Sequence, residues 1–127
     1  MRIDHYSYKV KIHTGGCWVN AMLELNDNRC LIYTPHTSYL DCYISELHSE
    51  LTEMIFHRLF LQQRKKCLML RAMDSASVYI FTKPEMVYQS IQKLKSHQSY
   101  AENISHTVQR LFKEKANNGH ESNEENG

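Results

Sequence analysis

Residues 38–63 read SYLDCYISELHSELTEMIFHRLFLQQ, and the fold turns on whether this stretch is one helix or two strands. No Gly or Pro occurs from Thr37 to Lys83. Leu40, Ile44, Leu47, Leu51, Met54 and Ile55 recur at the spacing of one apolar helical face. Ser38 suits the start of a helix as a cap, and Asp41 suits its positive end. Arg64, Lys65 and Lys66 suit its negative end. The Glu- and Leu-rich run Ser45–Met54 favours helix on propensity. These features predict one long helix over 38–63. The competing reading takes Leu40, Cys42 and Ile44 as one strand and Ile55, His57, Leu59 and Leu61 as another, each alternating at period two.

On the N-terminal side the pattern is plainer. Tyr6, Tyr8, Val10 and Ile12 alternate with Ser7, Lys9, Lys11 and His13, which is a half-buried strand. Thr14-Gly15-Gly16 supplies a turn that tolerates positive φ. A second alternating run places Cys17, Val19, Ala21, Leu23 and Leu25 on one face and Trp18, Asn20, Met22 and Glu24 on the other. Asn26-Asp27-Asn28 is the next turn, and Cys30–Tyr33 is a short third strand before Pro35. On the C-terminal side, Cys67–Met73 and Val78–Phe81 read as a second hairpin about an Asp74-Ser75 turn. Thr82 with Glu85 around Pro84 forms a capping box, followed by Val87, Ile91 and Leu94 at helical spacing. Ser99 with Glu102 forms a second box, which opens a helix carrying Tyr100, Ile104, Val108 and Leu111.

The order expected is therefore βββ-α-ββ-α-α: an α+β fold, an antiparallel sheet with helices packed on one face. With two strands in place of the central helix, the chain is instead similar in outline to the pleckstrin-homology sandwich, seven strands closed by a C-terminal helix. The first order is similar in outline to small secretion chaperones, which are typically acidic. Residues 1–116 read as a single domain in either case, with the segment from about 99 to 116 as a docking or dimerisation element. Residues 117–127 hold three Glu and no Lys, Arg or apolar residue, and so read as a disordered acidic tail.

Charge narrows the function classes. All fifteen Lys and Arg lie before Ala116, against eleven acids there, so the folded part is mildly basic. A dedicated nucleic-acid binder carries a stronger basic footprint. Residues 1–12 alternate polar and apolar and lack the apolar core of a signal peptide. No apolar run is long enough to span a bilayer. With four scattered cysteines and no CxxC, the expectation is a cytoplasmic protein with free thiols.

No motif points to catalysis. There is no phosphate loop, nucleophile elbow or pair of carboxylates with an evident cleft. Cys42 near the start of the expected helix could be an activated thiol, but it also falls where a core residue belongs. The His and Cys spacings do not make a zinc site, His13 and Cys17 coming nearest, so no metal and no cofactor is expected. The remaining reading is a small non-catalytic protein–protein interaction module of adaptor, chaperone or inhibitor type. Its candidate binding residues are Trp18 and Met22 on the second strand and Tyr100, Ile104, Val108 and Leu111 on the last helix. The partner is another protein or a second copy of this chain, a homodimer being the commonest oligomer. The alternative is a nucleic-acid-associated accessory protein using Lys9, Lys11, Arg64, Lys65, Lys66, Arg110 and Lys113.

Overall fold

The computed structural model describes residues 5–121, and within the last helix it describes the side chains up to Gln98 and from Thr107 to Lys113. Seven strands precede one long helix: β1 (His5–Thr14), β2 (Cys17–Asn26), β3 (Arg29–Thr34), β4 (Thr37–Tyr43), β5 (His48–Arg58), β6 (Leu61–Arg71), β7 (Val78–Ile80) and α1 (Pro84–Glu121). The strands form one curled antiparallel sheet in the order β4-β3-β2-β1-β7-β6-β5. The α+β class expected from the sequence holds. Its element order does not.

The long helix over 38–63 is the main correction. Those residues form most of β4, a single 3₁₀ turn at Ile44–Glu46, all of β5 and the start of β6. The turn explains the misleading spacing. Leu40, Cys42 and Ile44 alternate along an extended chain and are all buried. The 3₁₀ turn then carries the chain from buried Ile44 to buried Leu47, a step of three. A period of two followed by a step of three imitates a helical stripe. The turn is tied down by the Ile44 N–H donating to Asn28 O at 2.7 Å and the Leu47 N–H donating to Ile44 O at 3.2 Å. Arg64, Lys65 and Lys66 consequently lie on an exposed strand rather than at a helix end.

The two C-terminal helices are also one. Ser99 and Glu102 lie inside α1, because nothing from Glu85 to Asn118 supplies the Gly or Pro that would stop it. The helix runs past the expected start of the tail at 117 and ends at Glu121, while residues 122–127 lie outside the described residues. By contact density the chain divides into two units, Met1–Lys95 and Ser96–Gly127. No helix among the described residues is long and apolar enough to cross a membrane.

In the first unit, Val10 and Ile12 of β1 face the core with Ala21, Leu23 and Leu25 of β2, as the alternation predicted. Leu68, Leu70, Val78 and Ile80 continue this layer across β6 and β7. Val87, Ile91 and Leu94 of α1 cover it. Thr82, expected to cap the helix, accepts the Lys11 backbone N–H on its Oγ1 at 2.9 Å and ties the start of α1 to β1. Tyr8 Oη and Ser90 Oγ share a hydrogen bond of 2.8 Å, which links β1 to the helix a second time.

These burials set a stability expectation. Ile91→Ala should cost about 2–5 kcal/mol, because it opens a cavity under the helix. Leu111→Ala, at an exposed position, should change stability by less than about 0.5 kcal/mol. Urea unfolding of the two variants beside the parent chain measures both.

Candidate functional site: the outer face of the sheet

Residues that alternate with the core on β1, β2 and β7 emerge on the opposite face. His13 follows buried Ile12, Phe81 follows buried Ile80, and the β1–β2 register sets His13 directly across from Trp18. Their rings meet there, His13 to Trp18 at 4.9 Å edge-on and Trp18 to Phe81 at 4.8 Å. Phe56 of β5 joins them at 5.5 Å from Trp18 and 6.0 Å from Phe81. Four aromatic rings thus gather behind the β1–β7 seam. Trp18 is still 41 % exposed.

Two cations flank that open indole. Lys11 Nζ lies 5.1 Å and Lys65 Nζ 5.7 Å from the ring centre. Both are within cation–π range. Past Lys11 the same face opens into a groove of about 410 Å³, lined by Lys9, Lys11, Asn20, Met22, Tyr33 and Pro35 among others. Tyr33 donates its hydroxyl to a Glu24 carboxylate oxygen, and this bond pushes its phenol pKa up. His5 lies 3.7 Å from the same Glu24. The groove thereby presents lysines, an apolar Met and Pro, and an aromatic edge.

The structure brings some of the expected residues together and separates others. Trp18, Met22, Lys9, Lys11 and Lys65 share one surface. Arg64 pairs with Glu53 at 4.0 Å, and Lys66 lines a different cavity beside Leu51, Ile55 and Pro84. Val108, Leu111, Arg110 and Lys113 are exposed on the second unit, while the side chains of Tyr100 and Ile104 lie outside those described. As site residues, the sequence brings up His13 only as the nearest metal-ligand candidate, and Phe56 and Phe81 not at all. His13 and Phe81 are legible as outer-face residues, since each is out of phase with its strand's core positions. Phe56 is not, because its segment reads as helix.

Among the described residues no three His, Cys, Asp or Glu side chains converge as a metal site would need. Cys30 and Cys42 face each other across β3 and β4 in the core, and Cys67 is buried on β6. Burial pushes all three thiols up, the opposite of an activated nucleophile. Cys42 is thus a core residue of a strand and stands at no helix start. The sequence matches no protein-family model and no curated protein.

Thiol chemistry gives a direct check. In the native chain Ellman's reagent should titrate Cys17, the exposed cysteine, and reach the other three only on unfolding. The raised folded-state pKa values also fix a sign. Their contribution to stability is complete below the unfolded thiol value and is lost as pH climbs above about 8.5. Urea midpoints should therefore hold from neutral pH to about 8.5 and fall above it, less so in a Cys30→Ala variant.

Proposed function

We propose that this chain is a non-catalytic binding module, of adaptor type, that takes an extended segment of a partner protein along the outer face of β1 and β2. The observation that carries the reading is the open Trp18 ring, set between Lys11 and Lys65 at the end of a groove lined by Met22, Tyr33 and Pro35. Exposed Trp and Tyr bordered by cations are the residue types that dominate binding energy at protein interfaces. The lysines select an acidic segment, and the indole and Met22 select an apolar or aromatic side chain beside it. The seven strands and C-terminal helix are similar in outline to the pleckstrin-homology sandwich, but fold does not carry function. The reading therefore rests on the residues. A reducing, cytoplasmic setting suits four free thiols.

A second contact surface is favoured by one observation on the other unit. Val108, Leu111 and Phe112 fall on one helical stripe and are exposed. Such a stripe suits a partner helix, including that of a second copy. The nucleic-acid alternative draws on Lys9, Lys11 and Lys65 around Trp18, where a base could stack.

Against an array of synthetic peptides the chain should select those with an aromatic or aliphatic residue next to acidic ones. Lys11→Glu should lower that affinity about tenfold or more at an unchanged melting temperature. Trp18→Ala should weaken binding more than it weakens the fold. Selection of basic peptides, or a Trp18→Ala loss explained wholly by unfolding, would overturn the reading. Binding that nuclease abolishes and moderate salt removes steeply would assign the face to nucleic acid instead.

A further inference from the structure

The β5–β6 hairpin carries a feature that neither the fold nor the groove requires. β7 pairs with β6 only at Leu68, Met69 and Leu70. Residues 61–67 therefore have β5 on one side and no β7 on the other, and with 52–58 they form a two-stranded ribbon that curls so that Phe56 and Lys65 meet Trp18, leaving the turn beyond them uncovered. The ribbon turns through a two-residue loop, Leu59-Phe60, with φ of 50° and 66°. Positive φ at both central residues is the requirement of the hairpin turn that normally holds Asn-Gly. Bulky side chains are strained there. They are also bare: Leu59 is 81 %, Phe60 108 % and Leu61 71 % exposed.

The charge around this tip is one-sided. Between Glu53 and Asp74 there are twenty residues without an acid, and they include Arg58, Arg64, Lys65, Lys66 and Arg71. The first four lie on the ribbon itself and are exposed, against a single ribbon acid, Glu53, which pairs with Arg64 on the side away from the tip. Strained apolar residues at a projecting point, backed by a collar of cations, match the two demands of a bilayer interface. Apolar side chains bury below the headgroups while Arg and Lys meet anionic lipid. Other occupants fit less well. Three side chains on a convex tip offer far less than the roughly 1,000 Å² a stable protein interface needs. A two-fold contact with a second copy would set both cationic collars against each other.

We infer that the Leu59-Phe60-Leu61 tip inserts into the interface of an anionic lipid bilayer, with Arg58, Arg64 and Lys66 holding the headgroups. This goes beyond the groove reading and does not depend on it. The full-length chain should sediment with vesicles containing about 30 % phosphatidylserine in phosphatidylcholine, and far less with phosphatidylcholine alone. The double variant Leu59→Asn/Phe60→Gly should melt at the same or a higher temperature, since it relieves the turn. It should lose vesicle binding about tenfold or more. Arg58→Gln and Arg64→Gln should each weaken binding about fivefold, and added salt should do the same. Peptide binding at the groove should be unchanged in all three variants. The inference is overturned if the parent chain ignores phosphatidylserine vesicles, or if the Asn-Gly variant binds them as the parent does. It is also overturned if that variant abolishes self-association in gel filtration while vesicle binding persists.

Discussion

The sheet depends on a short seam. β1 and β7 are paired at only two positions, Ile12 with Ile80 and His13 with Tyr79. The Phe81 N–H adds a bond to Lys11 O at 3.0 Å, and the Lys11 N–H one to Thr82. This seam joins the β1–β4 meander to the β5–β7 strands. On its inner face Ile12, Ile80 and Leu68 line up in register, all fully buried. Side chains without solvent contact on adjacent strands fix a register strongly, because a one-residue slip would turn every one of them outward. On its outer face the same register delivers His13, Trp18 and Phe81 to one place. Core and candidate site are thus two faces of one pairing.

The aromatic cluster also does structural work. A two-stranded ribbon alone in water is marginal. Phe56, packed against Trp18 and Phe81, is the contact that holds the β5–β6 ribbon against the meander. Lys65, on the strand beside it, approaches the same indole. Trp18 therefore acts as a brace and as an open surface at once, and Lys11 and Met22 line the groove without sharing in the ring contacts of Phe56.

How much of this was legible in the sequence follows from which forces act locally. β1 and β2 were plain because strict alternation at period two has one structural meaning when one face is buried. Residues 38–63 misled because the phase of that alternation is reset by the Ile44–Glu46 turn, and because β5 runs past the cover of the helix. Leu51 and Ile55 share the register face of buried Leu68 and yet remain exposed. An exposed apolar residue on a ribbon cannot be told from a buried one on a helix by spacing alone. Propensity pointed the wrong way there, and cross-strand pairing overrode it. The outer face was partly legible. Trp18 and Met22 were placed opposite the core by alternation, whereas Phe56 and Lys65 reach them only through the curl of the sheet, which no local pattern encodes.

The hairpin tip shows the same limit from the other side. From spacing alone, Arg64, Lys65 and Lys66 have a sufficient local explanation as helix-terminal cations, and otherwise enter only in the nucleic-acid alternative. Once the segment is a strand that explanation lapses: Arg64 pairs with Glu53 and Lys65 lies over Trp18, and Arg58 and Lys66 complete a basic, acid-free run from Met54 to Met73. The turn makes the argument sharper. Asn-Gly would close the same hairpin with less backbone strain, and bare Leu59 and Phe60 contribute no burial to offset it. Two other departures from simple patterning are explained inside the fold: the 3₁₀ turn delivers Leu47 to the core, and Thr82 ties the helix to β1. Strain that the fold does not need, placed where nothing in the fold covers it, is accounted for by something outside the fold.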